Sequence, residues 1–205
     1  MDKSKQASLL YDKIAELYSR EFSTPSEYID EFLELIPGNG KILDAGCGPG
    51  VDSGYMKARG FEVLGVDLSE EMLKIAKQKF PKIHFELADL RALKLKPNSF
   101  DGILASCSLI HIPKKDIIPT LQNFNKFLKR DGKIYIALQA GKSGEIFINE
   151  PFKPDEKLFL NIISIDEIKD LLFKTGFSIV KKYERKPKSK EELNFTKLFI
   201  IAKKI

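Results

Sequence analysis

Apolar residues first recur along the chain at helical intervals. Ala7, Leu10, Tyr11, Ile14, Leu17 and Tyr18 fall on one face of a helix over about residues 7–18. Thr24, Pro25, Ser26 and Glu27 then read as a second helix start, with a threonine cap, a proline at the first helical position and a glutamate closing a capping box. Ile29, Phe32, Leu33 and Ile36 continue its apolar face until Pro37, Gly38, Asn39 and Gly40 stop it. After residue 40 the period changes. Residues 41–45, 61–66, 82–87, 100–105 and 132–138 are short apolar runs, most of them β-branched or aromatic, and they predict strands. Between most of them lie amphipathic helical stretches. Residues 51–59 end before Gly60, and 69–80 open with Ser69 as cap and Glu70 and Glu71 in the first turn. Over 114–132, Ile117, Leu121, Phe124 and Leu128 make one stripe, and Pro119 predicts that this helix starts near it.

Alternating strands and helices need crossover connections, so the pattern predicts an α/β fold: a doubly wound, Rossmann-like, mostly parallel sheet with helices on both faces. The tail differs. Ser164 and Glu167 form a capping box on a helix that ends at Gly176. The runs 177–184 and 195–204 then follow with only the polar loop 185–194 between them, which predicts an antiparallel C-terminal hairpin. The chain reads as a single domain without repeats. Residues 1–37 supply leading helices and 38–139 the core. Residues 140–163 form a less regular insertion, and 164–205 the last helix and hairpin.

The strongest chemical signal is ILDAGCGPG at residues 42–50. A strand ends at Ala45, Gly46, Gly48 and Gly50 follow, and a helix then begins. In an open parallel sheet ligands sit beyond the carboxyl ends of the strands, and glycine lets a ligand approach the main chain there. Asp67 closes the second strand 21 residues after Gly46, where a carboxylate can accept both hydroxyls of a ribose. A nicotinamide dinucleotide and S-adenosylmethionine both satisfy these residues. The spacing separates them: the dinucleotide fingerprint is G-x-G-x-x-G, whereas this chain reads G-x-G-x-G with Asp44 two residues ahead. Only a helix and a hairpin follow the sheet, too little for a dehydrogenase's substrate domain.

Composition narrows the picture further. The net charge of +5, from 34 basic and 29 acidic residues, does not by itself require nucleic acid or anionic lipid. Cys47 and Cys107 are the only cysteines, which provides neither a disulfide framework nor a metal-ligand spacing and points to a reducing compartment. The first residues carry no signal-peptide core and no run is long enough to span a bilayer, so the expectation is a soluble cytoplasmic protein without a membrane partner.

Several segments together resemble the class I S-adenosylmethionine-dependent methyltransferases of small-molecule type. LDAGCGPG resembles that family's first motif and GVDLSEEML its second; ELADLRAL resembles the adenine-contacting segment, FDGILASCSLIHI the fourth strand and its loop, and LKRDGKIYIAL the fifth strand. The likeness spans roughly residues 7–203. It implies S-adenosyl-L-methionine as cofactor, with S-adenosyl-L-homocysteine as product. Gly46, Cys47 and Gly48 would line the methionine part, Asp44 would brace the loop, and Asp67 would hold the ribose. Leu68 and Met72 would pack near the adenine, Asp89 and the Leu90 main chain would bond its edge, and Ser106 would sit close to the methyl. Tyr11 and Tyr18 would cover the cofactor from the leading helix; for Tyr18 an aromatic core position is an equal alternative.

Methyl transfer from a sulfonium is an in-line displacement, so the main need is orientation, and a general base matters only if the acceptor must lose a proton. His111, after the fourth strand, is the candidate base; the alternative is that it shapes the pocket or caps the next helix. His84 reads as structural. The absence of DPPY or NPPY after the fourth strand argues against amino-methylation of nucleic-acid bases. The lysine-rich stretch 181–190 reads as a solvated loop on the far side of the sheet. Specificity is expected from the 140–163 insertion, with Phe147, Phe152, Phe159 and Tyr135 as candidate walls. The reading is therefore a methyltransferase for a small organic acceptor, with nucleic acid disfavoured and the oligomeric state open between monomer and homodimer. The alternatives are a non-catalytic binder of the cofactor or its product, an RNA methyltransferase, and a nicotinamide-dependent oxidoreductase.

Overall fold

A computed structural model describes residues 2–188 and 192–205. Helices α1 (Lys3–Glu21) and α2 (Ile29–Leu33) lead into an alternation of β1 (Lys41–Ala45), α3 (Val51–Ala58), β2 (Glu62–Asp67), α4 (Glu70–Lys79), β3 (His84–Leu87) and β4 (Phe100–Ser106). Then come α5 (Lys114–Phe127), β5 (Leu128–Ala140), the pair β6 (Gly144–Glu150) and β7 (Lys153–Ile162), α6 (Ile165–Lys174), β8 (Phe177–Arg185) and β9 (Thr196–Lys204). The main sheet runs in the order β3-β2-β1-β4-β5-β9-β8. The first five strands are mutually parallel, and β9 lies antiparallel to both β5 and β8. The sheet is doubly wound with an antiparallel end, as the alternation and the hairpin predicted.

Period-two alternation sorts the strand residues onto two buried faces. Leu43, Ile103 and Ile134 pack with Ile117, Leu121 and Phe124 of α5 and with Ile168 and Leu172 of α6. Their neighbours Ile42, Leu104 and Tyr135 face the other way, onto Phe32 of α2, Met56 of α3 and Leu73 of α4. Strand order reverses at β1, which pairs with β2 on one side and β4 on the other. The carboxyl ends of β1, β2 and β4 therefore bring Ala45, Asp67 and Ser106 to one edge of the sheet, at the switch point where open α/β folds bind ligands.

Four expectations are corrected. Thr24–Glu27 does not start a helix: the Ser26 amide and hydroxyl both donate to the Asp52 carboxylate, at 2.7 and 2.6 Å, and Glu27 pairs with Arg185 and Lys188. The helix begins only after Tyr28, held at φ +60° with its ring stacked on Tyr183. Pro119 lies inside α5, which starts at Lys114 and ends before Leu128, already the first residue of β5. Burial of Ile117, Leu121 and Phe124 along one stripe outweighs the hydrogen bond the proline removes. The 140–163 insertion is regular, an antiparallel pair in which Phe147 faces Phe159.

The fourth correction concerns the lysine-rich stretch. Residues 181–185 belong to β8, Lys188 pairs with Glu27, and Ser189 and Lys190 lie outside the described residues. Because β8 runs in the same direction as β5, its hairpin turns at the carboxyl edge of the sheet, on the side of the glycine loop and not the far side.

Candidate functional site

The loop after β1 bends back on the end of β2. Gly46 and Cys47 donate their amides to the Val66 carbonyl at 2.8 and 3.0 Å, and the Gly48 amide donates to Asp67 Oδ2 at 2.8 Å. Gly46 adopts φ +84°, and a side chain there would run into Ser108 of the loop after β4. Gly48 adopts φ +51° with nothing within 4 Å of where a Cβ would stand, so its bare face is open space in the cleft. Asp67 Oδ1 accepts from the Ser69 amide at 2.9 Å, so one carboxylate ties the glycine loop to the start of α4.

Helix α1 covers this edge. Its buried face is unusual in carrying Ser4 and Ser8 one turn apart. Ser4 Oγ donates to the His111 carbonyl at 2.7 Å and Ser8 Oγ to the Leu68 carbonyl at 3.1 Å. Asp12 accepts from Ser69 Oγ at 2.6 Å and the Glu71 amide at 3.1 Å, capping α4 from outside. At the front, Arg91 donates to both oxygens of Asp2, at 2.7 and 2.9 Å, and to Asp89. The Arg91 hydrogen bond leads the causes that hold the Asp2 carboxyl down at about 2. Burial alone would raise the Asp89 carboxyl, but Arg91 outweighs it and the net direction is down.

A cleft, about 720 Å³ with the solvent space it opens to, lies beneath α1. Tyr11, Tyr18, Gly46, Gly48, Asp67 and Leu68 line it, and so do Met72, Asp89, Leu90, Ser106 and His111. A larger cleft of about 1340 Å³ continues from it. The two share Tyr11, Tyr18, Gly46, Gly48, Ser106 and Cys107. Cys47 lines only the second. Asp44 reaches neither: it is buried behind the loop and accepts from Ser53 Oγ at 2.6 Å, a bracing position. Of the expected apolar walls only Phe152 lines the second cleft, while Phe159 and Tyr135 are wholly buried and Phe147 is half exposed. His84 stands exposed beside Glu86, 2.7 Å away.

His111 is held from both sides. Nδ1 lies 3.1 Å from the Phe159 carbonyl, which can only accept, so Nδ1 carries the proton. Nε2 is left as acceptor, and the Tyr11 hydroxyl donates to it at 3.0 Å. Burial lowers His111 to about 4 against the smaller opposing pull of the Phe159 carbonyl, so the ring is neutral at pH 7. From His111 an aromatic wall runs through Tyr11, Tyr18 and Phe22 to Phe152, with neighbouring ring centroids 5.2, 5.4, 4.5 and 5.9 Å apart.

Carboxylates dominate the electrostatics of the loop. Asp44, Asp52 and Asp67 are all raised, burial being the largest cause in each, with neighbouring carboxylates adding at Asp44 and hydrogen bonds from Ser53, Ser26 and backbone amides opposing. Ser108 Oγ, lining the first cleft, is buried without a partner among the described residues.

The sequence reading missed Asp52, Gln139, Glu150, Arg185, Glu192 and Lys197, all on the second cleft. They come from elements far apart in the chain, and no local pattern marks them. Ser4 and Ser8 did carry a signal, since with Tyr11 they fall at i, i+4 and i+7 on one helical face.

A family profile described as a methyltransferase domain matches residues 42–132. An uncharacterized methyltransferase of Alkaliphilus oremlandii is 30% identical over 177 residues, 80% of this chain and 77% of that protein. A Bacillus subtilis protein named for a methyltransferase is 31% identical over 157 residues, 73% of this chain, and the chain spans 64% of its length. A solved S-adenosylmethionine-dependent methyltransferase of Methanosarcina mazei superposes with a TM-score of 0.78 over 89% of this chain and 99% of that one, at 18% identity, a likeness of fold. The chain belongs to the class I S-adenosylmethionine-dependent methyltransferases.

Proposed function

We propose that this protein transfers a methyl group from S-adenosylmethionine to a small organic acceptor, the cofactor under α1 and the acceptor in the larger cleft. The observation that carries this reading is the junction of the two clefts at Gly46, Gly48, Ser106 and Cys107, where a donor in one would meet an acceptor in the other. The open face of Gly48 and the Asp67 carboxylate, both on the cleft beneath α1, support a nucleoside-bearing cofactor there. Asp67 would turn its oxygens to the ribose, Asp89 and the Leu90 main chain would meet the adenine, and Leu68 and Met72 would flank it.

When bound, the cofactor supplies a methyl group already activated on a positive sulfur. The chain's own task is then orientation and exclusion of water, worth about 7–11 kcal/mol of barrier. Helix α1 supplies the cover through Ser4, Ser8, Tyr11 and Asp12. We assign His111 to this shell as a positioning residue: its free electron pair is spent on Tyr11, and through Tyr11 it shapes the wall that faces the reaction.

Calorimetric titration with S-adenosylmethionine, S-adenosylhomocysteine and NADH tests the reading. Binding of the first two and not the third is expected, and binding of NADH alone would overturn it. Formation of S-adenosylhomocysteine with an acceptor separates an enzyme from a mere binder of the cofactor.

A further inference from the structure

We propose that the larger cleft is an amine site, in which Glu150 takes the charge of a primary or secondary ammonium group and Gln139 accepts one of its N–H bonds. This rests on the reading above, and it names the acceptor class.

Glu150 ends β6 and is 4% exposed, yet it belongs to none of the ion pairs among the described residues. Its donors are backbone amides alone: Oε2 accepts from Phe152 at 2.7 Å, and the Lys153 amide also favours the carboxylate. A buried carboxylate without a counter-charge is costly, so its retention points to a partner that arrives from outside. Gln139, on β5, is 5% exposed, and its Oε1 has no partner among the described residues. A carbonyl oxygen can only accept, so it calls for an N–H or O–H.

The other charged groups of the cleft contact one another or neutral donors, without balancing in charge. Asp52 is held by Ser26, Arg185 is forked between Glu27 and Glu192, and Lys197 lies 3.7 Å from Glu192. An acidic acceptor would meet Glu150 as a like charge. An alcohol would satisfy Gln139 and leave Glu150 unpaired. An ammonium group carries both the charge that Glu150 lacks and N–H bonds of the kind Gln139 Oε1 can accept. The tilted pair Tyr18–Phe22 and the edge-on pair Phe22–Phe152 add π faces that attract a cation.

The same residues balance the chemistry. The ammonium passes one proton to the Glu150 carboxylate, which frees the nitrogen electron pair to form the new N–C bond. The electron pair of the broken S–C bond stays on sulfur, and Glu150 returns its proton to water. Burial raises the Glu150 carboxyl, against the Phe152 and Lys153 amides, and so makes it a better proton acceptor.

The test uses the full chain saturated with S-adenosylhomocysteine, whose own titration comes first. If that compound does not bind, the cofactor reading fails and not this one. Butylamine, N-methylbutylamine and benzylamine are then titrated beside butanol, benzyl alcohol and butyrate. Heat of binding from the amines alone is expected. Glu150→Gln and Gln139→Leu should each weaken amine binding about tenfold or more while leaving S-adenosylhomocysteine affinity unchanged, with thermal unfolding confirming that both variants are folded. Equal binding of the alcohols, no binding of any amine, or unchanged amine affinity in both variants overturns the proposal.

Discussion

Gly46 and Gly48 stand two residues apart in one loop, and the structure gives them different work. Gly46 has both a positive φ and Ser108 where a side chain would go, so Gly46→Ala should cost about 2 kcal/mol or more in denaturant unfolding. Gly48→Ala meets no protein atom, so its cost to folding should be only about 1–2 kcal/mol of backbone strain. Its methyl enters the cleft, and calorimetry should show the larger loss in cofactor affinity. Asp67→Asn keeps the size of the side chain but removes the charge; S-adenosylmethionine affinity should fall about tenfold or more. His111 titrates from its ordinary 6.5 down to about 4, so the folded state binds fewer protons than the unfolded chain between these values. Stability should therefore fall as pH drops through that window, and His111→Gln should remove this part of the fall when its melting curve is compared with the parent's. If His111 acts by positioning, the Gln oxygen can still accept from Tyr11, and the pH profile of turnover should keep its shape; a lost acid limb would instead mark a base.

At the scale of elements, α1 is fastened at its start by Asp2 and Ser4, in the middle by Ser8 and Asp12, and near its end by Ser19, which accepts from Lys79. Asp2 caps it by accepting from the Lys5 amide at 3.0 Å while holding Arg91, so Asp2→Ala removes a cap worth about 0.5–2 kcal/mol together with an ion pair. Hydrogen exchange should quicken over the first turns of α1 and leave α5 unchanged. The Asp2 carboxyl is lowered from 3.8 to about 2, so its stabilising contribution is whole above the first value and lost as pH falls through the second. Elements whose signals are local were legible in the sequence. The Ser69 and Ser164 caps accept from Met72 and Glu167 as read, because a side-chain cap is decided within four residues. The Ser164 box stays half closed, however: the Ser164 amide donates to Ser143 Oγ and Glu167 pairs with Lys114. Thr24–Glu27 failed for the opposite reason: Asp52, from another helix, offers Ser26 a stronger bond than a helix would. Pro119 misled because propensity is weak beside a buried stripe.

For the whole molecule, the cleft beneath α1 was legible because a strand, a glycine loop and an acid at the next strand end lie within one stretch of chain. The larger cleft was not. Gln139, Glu150 and Arg185 meet only through the β6–β7 pair and the C-terminal hairpin, and tertiary pairing of that range leaves no period to read. Binding should be visible globally: at a hundredfold excess over its dissociation constant the cofactor adds about 2.7 kcal/mol, a rise of about 5–10 °C in melting temperature for a chain of this size. The sheet order also has a consequence in time. The place between β5 and β8 is filled by β9, the last strand of the sheet to leave the ribosome, so until residues 196–204 are made β5 carries an open edge in the middle of the fold. That edge is long and apolar, and an unfilled edge of this kind invites pairing with other chains. Chains arrested before residue 196 should associate, and supplying the missing strand as a separate peptide should quench it.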